Sequence, residues 1–423
     1  MTPRRTLLTG CALFAISLAS LIAVDWTVAG GLWSMLDLQI YDWGGQVARH
    51  SGGLYGLSYR NQGLRFTYPP MAAAVFGVLS YLPLSVLKCL ATAGSIASLT
   101  AVSWLTWGAL GYPRSPDRLG AALAVAAFAV WAEPVQQTLA FGQVNIVLML
   151  VVVADLCLPD RARWKGAGVG LAAGFKLTPL IFIPYLLLTG RRRAAGCALA
   201  TFLATVIASA VLLPSQSGRY WAGRVFMDPY RLGNVAYVAN QSLYGMSLRL
   251  AGNPQSARLA WFAAVVIVGA GGLLLAAAAQ RRQEMAGMVV CALTGLLISP
   301  VSWSHHWVWM TPALVLAVHR AERTKAQAAA RGRRMAAWGG VLALLFVFFS
   351  RLIWIVPAST VQGKGMSGPW LLAGNLYALA GLAALGCTAF GIARSPRPRG
   401  MARGSRARLA TPPLSPSPGD PGL

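Results

Sequence analysis

The chain has 423 residues, 56% of them apolar and only 11% charged, with a mean hydropathy of +0.57. A soluble chain of that size could not hide so much apolar surface, which excludes water as the main solvent and leaves the lipid bilayer. Its 36 Lys and Arg against 11 Asp and Glu would indicate a nucleic-acid partner if they formed one folded patch, but they lie in short clusters between apolar runs, so that class is excluded as well.

The first apolar run, residues 6–28, reads as an uncleaved span or signal anchor. Leu8-Thr-Gly-Cys11 has the letters of a lipoprotein cleavage box, but the apolar core that should precede such a box follows it. Residues 25–82 then form a first external loop, in which Asp25, Asp37, Asp42, His50 and three arginines alternate with aromatic residues. Loops of this length are usually functional. Within the loop, Leu36, Ile40, Trp43 and Val47 share one helical face, which predicts an interfacial helix carrying Asp37.

Further spans are expected near 83–111, 119–133, 142–158, 194–213, 257–279, 284–299, 303–319, 335–356 and 370–393, each judged against the roughly 20 residues needed to cross about 30 Å. Residues 165–190 have basic residues on both flanks and so should enter the membrane and return, as two short helices broken at Thr178-Pro179. The expectation is therefore an all-α, polytopic bundle of about twelve spans, residues 1–393, with both termini cytoplasmic in a plasma membrane. Seven basic clusters hold 24 of the 36 Lys and Arg on the inner side, as the positive-inside rule requires. A second external segment covers 214–256, and 394–423 reads as a disordered basic cytoplasmic tail. The six cysteines lie in or beside apolar runs, with no CxxC, so neither a disulfide framework nor a zinc site is expected.

Few residues can carry chemistry on the outer face. Asp25, Asp37, Asp42 and Asp228 are the acids expected there, with Glu133 at a helix end. A loop Asp is a general base, a helix cap or an ion-pair partner. Lys176, at the break of the short hairpin, either snorkels to headgroups or presents a cation to an anionic substrate. His305 and His306 sit in a turn with Trp303, Trp307 and Trp309. Interfacial anchoring accounts for the tryptophans, but the histidines call for a partner such as a phosphate. Metal ligation is the weaker reading, because adjacent histidines point to different sides of a helix and no acidic companion follows. Glu133-Pro-Val-Gln-Gln-Thr138, Phe141-Gly-Gln-Val-Asn145 and Asn240-Gln-Ser-Leu-Tyr244 are either caps and interhelical bonds or parts of the same outer site.

Six motifs in series, Asp37-Leu-Gln-Ile-Tyr41, Phe66-Thr-Tyr-Pro-Pro70, Phe141-Gly-Gln-Val-Asn145, Phe175-Lys-Leu-Thr-Pro179, Asn240-Gln-Ser-Leu243 and Ser299-Pro-Val-Ser-Trp-Ser-His-His-Trp307, resemble those of glycosyltransferase family 87. These are the polyprenyl-phosphate-mannose-dependent mannosyltransferases of the GT-C superfamily. The resemblance covers residues 25 to about 320; the part after 335 matches only as generic spans. It implies a GT-C bundle with a catalytic carboxylate in the first external loop, a polyprenyl-phosphate-linked sugar as donor and a cell-envelope glycolipid or lipoglycan as acceptor. On it, Asp37 would be the base and Lys176, His305, His306 and Arg65 would face the donor phosphate. Tyr41, Tyr68, Gln143, Asn145, Asn240, Gln241 and Trp303 would line the substrate site. No metal or other cofactor is expected, since a monophosphate leaving group does not oblige one. An arabinofuranosyltransferase using a polyprenyl-phosphate pentose, or a transporter, would share parts of this pattern.

Overall fold

A computed structural model describes residues 3–27, 34–50, 53–60, 63–326, 331–363 and 365–394. The expected tail, apart from Arg394, and stretches 28–33, 51–52 and 61–62 of the first loop lie outside the described residues. Among the described residues the secondary structure is helical, with two isolated bridges, Tyr59 to Leu64 and Asn240 to Trp303.

The helices are α1 (Pro3–Thr27), α2 (Leu36–Arg49), α3 (Pro70–Leu79), α4 (Leu84–Ala109), α5 (Pro116–Ala129), α6 (Glu133–Phe141), α7 (Asn145–Leu156), α8 (Ala167–Phe175) and α9 (Phe182–Leu188). They continue with α10 (Arg192–Leu212), α11 (Pro214–Trp221), α12 (Leu243–Ala251), α13 (Pro254–Gln280), α14 (Glu284–Ile298), α15 (Met310–Ala326), α16 (Arg331–Phe349), α17 (Pro369–Gly374) and α18 (Leu376–Arg394). Among the described residues, six helical segments are long and apolar enough to cross a bilayer: Arg5–Val24, α4, α10, α13, Arg331–Trp354 and α18. The pair α5 and α6, bent by 77°, makes a seventh if it counts as one span. Long aliphatic side chains such as Ile16, Ile207, Val266 and Leu342 face outward on these helices, as lipid contact requires. The expected spans 119–133, 142–158 and 284–299 correspond to helices of 14, 12 and 15 residues. At 1.5 Å per residue these fall short of about 30 Å on their own.

Residues 165–190 form a hairpin. A Cβ added at Gly166, Gly170 or Gly174 would run into Ala194, Ala198 and Thr205 in turn, so α8 and α10 run parallel along a seam that only glycine permits. Since α10 starts beside the start of α8, α9 must bring the chain back. The break falls at Lys176, whose backbone is extended (φ −148°, ψ 126°), rather than at Thr178-Pro179. Pro179 instead opens a 3-10 turn, Thr178–Ile181, leading into α9. At the hairpin base Asp160 accepts from Lys165 at 2.8 Å and from Arg191 at 2.9 Å, and Arg191 also grips Glu284 at 2.6 Å.

The two ends of the bundle differ. One gathers the Asp160, Arg191 and Glu284 cluster, with Gln283 bonded to the Ala109 carbonyl and Arg282 to that of Ile392. The other gathers α2, the turn between α6 and α7, the hairpin tip and the turn before α15. Residues 25–82, expected as a first external loop, are more structured than their sequence suggests, because α3 is a helix there and Tyr41, Tyr55, Phe66, Tyr68 and Phe76 form an aromatic cluster with Tyr220 of α11. The buried residues of α2 are Leu38, Ile40, Tyr41, Gly44, Gly45 and Ala48; of the expected stripe Ile40 is buried, Trp43 and Val47 pack half-buried against the aromatic cluster, and Leu36 is half-buried. The aromatic cluster widens the buried face to Leu38 and Tyr41, while Leu36 and Ile40 also line a cavity.

Candidate active site

A cavity of about 760 Å³ opens at that second end, within the size range of small-ligand sites. Its walls come from distant parts of the chain: Asp37 and Tyr41 of α2, Arg65 to Tyr68, Gln143, Lys176 at the hairpin tip, Asp228 to Tyr237, Trp303 to His306, and Trp354 with Gln362.

Asp37 lies in the first turn of α2, where a negative charge is favoured by the helix dipole. The helix is entered through Met35, which holds a left-handed conformation (φ 51°, ψ 47°) unusual for a residue with a side chain. The Met35 amide donates to the Ala140 carbonyl at 2.9 Å, and its side chain is buried, so packing and a hydrogen bond hold a turn that costs about 1–3 kcal/mol in isolation. Gln143 Nε2 donates to Asp37 Oδ2 at 2.5 Å, while its Oε1 accepts from the Tyr68 hydroxyl at 2.8 Å, which accepts from the Tyr41 hydroxyl at 3.0 Å. This relay fixes the carboxylate. Burial pushes the Asp37 carboxyl up to about 6, against the hydrogen bond from Gln143 and the charge of Lys176, both of which pull it down.

Lys176 Nζ donates to Asn145 Oδ1 at 2.8 Å and meets His306 Nε2 at 3.0 Å. When Lys176 is charged its ammonium has no lone pair, so that imidazole nitrogen is then the acceptor and His306 carries its proton on Nδ1. Lys176 also stands 5.3 Å from the centre of the Tyr68 ring. His305 lies edge-on to Phe141 and His306; its carbonyl accepts from Thr138 and Asn145, and its buried Nε2 has no partner among the described residues. The hairpin tip, the turn after α6 and the turn before α15 are thus tied together by polar contacts.

Nine of the twelve residues expected at the site line the cavity: Asp37, Tyr41, Arg65, Tyr68, Gln143, Lys176, Trp303, His305 and His306. Asn145 stands one layer behind, orienting Lys176. Asn240 and Gln241 are elsewhere. Asn240 is fully buried and bonds the Ser302 amide and the Val235 and Pro300 carbonyls; Gln241 bonds the Val238 and Gly374 carbonyls and the Tyr377 amide. Their amides hold loops together, which corrects the expectation that they meet substrate. Arg65 stands beside Arg231 on the wall that carries Asp228.

Tyr230, Arg231, Asn234, Tyr237, Trp354 and Gln362 also line the cavity, although none stood out in the sequence. The first four lie in the long segment 214–256 between spans, whose length was the only signal for them. Glu133 is a third kind of residue. It is wholly buried and accepts from Trp354 Nε1 at 2.8 Å and the Tyr377 hydroxyl at 2.9 Å, which ties the cavity wall to α18.

Several relatives share most of the chain. The polyprenol-phosphate-mannose-dependent alpha-(1-2)-phosphatidylinositol pentamannoside mannosyltransferase of Mycolicibacterium smegmatis is 35% identical over 388 residues, 89% of this chain and 90% of the relative. One of the same description from Mycobacterium tuberculosis is 32% identical over 392 residues, 91% and 88% of the two chains. A Mycobacterium tuberculosis phosphatidylinositol mannoside mannosyltransferase is 34% identical over 323 residues, 72% and 75%. No solved structure matches the chain. The sequence profile of glycosyltransferase family 87 matches residues 66–300, so that with these relatives the chain, a membrane-embedded helical glycosyltransferase, belongs to glycosyltransferase family 87.

Proposed function

We propose that the protein transfers mannose from a polyprenyl-phosphate-mannose donor to a phosphatidylinositol mannoside or related cell-envelope glycolipid, with inversion, on the extracytoplasmic face of the plasma membrane. The names of the relatives support the donor and acceptor classes. The observation that carries the reaction is Asp37, a fixed carboxylate in a large cavity with the Lys176 cation nearby.

An acceptor hydroxyl must lose its proton as it attacks the anomeric carbon. Asp37 takes that proton; with its carboxyl near 6 it is ionised at neutral pH yet more basic than an ordinary Asp, as a general base should be. A bond forms from the acceptor oxygen to the anomeric carbon while the bond from that carbon to the phosphate oxygen breaks, its electron pair leaving with the polyprenyl phosphate. Lys176 neutralises the departing phosphate and His306 and Asn145 hold the ammonium in place. One base and one stabilised leaving group suffice for a single inverting displacement, unlike the two carboxylates of most glycosidases.

The outer-face assignment rests on charge. The cavity lies at the end of the bundle away from Asp160, Arg191, Arg193 and Arg282, and the basic loops belong inside. A donor carried on a lipid fits that face. The test is transfer from radiolabelled polyprenyl-phosphate-mannose by purified protein in proteoliposomes. Asp37→Asn is expected to lower kcat by about 10²–10⁴ with the protein level unchanged; transfer at the wild-type rate would remove Asp37 as the base. In a background without native cysteines, Leu57→Cys, on the exposed part of the first loop, should react with an impermeant maleimide in intact cells. Labelling only after lysis would reverse the orientation.

A further inference from the structure

The cavity holds a second concentration of positive charge that the proposed reaction does not use. Arg65 comes from the extended segment before α3, whose next residue, Phe66, is wholly buried in the aromatic cluster, and Arg231 from the 3-10 turn Pro229–Leu232. Both line the cavity wall, and each is the other's charged neighbour. Arg231 is anchored by donating from Nη2 to the Tyr55 carbonyl at 2.5 Å, while its buried Nε has no hydrogen-bond partner among the described residues. Asp228 is the acidic group on this wall, and its Oδ1 caps the same turn by accepting from the Tyr230 amide at 3.0 Å. Neither guanidinium forms an ion pair among the described residues. Two like charges held side by side, one with a donor shut away from water and unused, are unfavourable unless an anion joins them.

Which anion follows from where the pair stands. The donor phosphate is bonded to the anomeric carbon under attack, so it must lie within one sugar of Asp37, and Lys176 is the cation that Asp37 senses. Arg231 has Arg65 and Asp228 as charged neighbours, and its guanidinium is tied to the Tyr55 carbonyl rather than to α2. An acceptor phosphoglycolipid, by contrast, carries its phosphodiester at a distance from the hydroxyl that attacks, separated by its own glycan. We infer that Arg65 and Arg231 form a second anion subsite, which binds the phosphodiester of the acceptor glycolipid and leaves the donor phosphate to Lys176 and the histidines. Arg65 is thereby taken from the donor side, where the sequence had suggested it. The inference rests on the proposed mannosyl transfer for its substrate class. Its chemistry, a phosphodiester held by two guanidiniums, is shared with anionic bilayer lipids, so the test separates the two sources.

Arg231→Gln and Arg65→Gln are assayed in proteoliposomes with polyprenyl-phosphate-mannose against two acceptors, a phosphatidylinositol mannoside and the phosphate-free octyl α-mannopyranoside. Each variant is expected to raise KM for the phosphatidylinositol mannoside about tenfold, the loss of one charge-assisted bond, with a much smaller change for octyl mannoside. KM for the donor should hold, which also reports that the variants fold, and Arg231→Lys should recover part of the loss. An equal rise for both acceptors, or a rise in donor KM, would overturn the assignment. So would a loss that follows the phosphatidylglycerol content of the vesicles rather than the acceptor, because the pair would then be reading bulk anionic lipid. If wild-type protein transfers no mannose, the proposed function fails first. Native mass spectrometry of phosphatidylinositol mannoside bound to wild-type and Arg231→Gln protein then decides the subsite alone: weaker binding by the variant sustains it, and equal binding ends it.

Discussion

Asp37→Asn should make the protein more stable while it removes activity, and the size of the gain is set by the site. Burial moves the carboxyl from 3.8 to about 6, and each unit of such a shift is worth 1.36 kcal/mol between the two protonation states. Holding Asp37 ionised in the folded protein therefore costs about 3 kcal/mol relative to the unfolded chain, an upper figure for a group that keeps some contact with water. The sign follows from linkage. With its folded value above its unfolded one, the protonated form favours folding below about 4, and that contribution is lost as the pH rises through about 6. Asn cannot ionise, yet it can still accept from Gln143 Nε2. In detergent, followed by intrinsic fluorescence from the 15 tryptophans, the variant should unfold at a higher temperature than wild type at pH 8, with the gap closing towards pH 4. A variant that melts at or below wild type at pH 8, or a gap that does not change with pH, would refute the reasoning. Either outcome would mean that the carboxylate is better solvated or better paired than its surroundings indicate.

Three further outcomes are expected. With Asp37 as the base, kcat/KM should fall tenfold per unit as the pH drops below about 6, and it should fall again above about 7, where burial brings the Lys176 ammonium to lose its proton; a flat profile between pH 5 and 8 would assign the proton to another group. Gly170→Val, which puts side-chain atoms into Ala198 and Thr201, should destabilise the protein by about 1–3 kcal/mol and lower kcat more than it changes donor KM, because Lys176 is carried on the displaced helix; assay of the folded fraction separates the two effects. Gln241→Leu leaves the Val238 and Gly374 carbonyls and the Tyr377 amide without partners, a loss of about 3 kcal/mol or more, visible as a lower melting temperature with acceptor KM unchanged.

The sequence carried the membrane class through hydropathy and charge, since both are sums over long segments that tertiary structure does not alter. It also carried the members of the site that are odd where they stand: an acid at the start of an amphipathic helix, a lysine in an apolar hairpin and paired histidines among tryptophans. Asn240 and Gln241 misled because an amide that binds a sugar and one that binds three backbone groups look alike until their partners are in place. Arg231 and Tyr237 were hidden for the opposite reason: they lie in a segment without periodicity, and only folding brings them opposite α2. The hairpin break moved from Thr178 to Lys176 because proline is accommodated in the first turn of a helix. It ends the preceding helix early and starts the next one where it stands.

The hairpin also has a mechanical meaning. Its tip carries Lys176 and its base is clamped by Asp160, Arg191 and Glu284, with one nine-residue helix, about 14 Å of nearly rigid rod, between them. With glycine along the seam, α8 has no side chains there to interlock with α10 and only close backbone contact to guide it. Both ends of the rod are held by polar contacts, the base by the ionic cluster and the tip by Asn145 and His306, so a shift at either end must be taken up at the other. In the proposed orientation this single rod joins a charged cluster at one membrane surface to the ammonium that would meet the donor phosphate at the other.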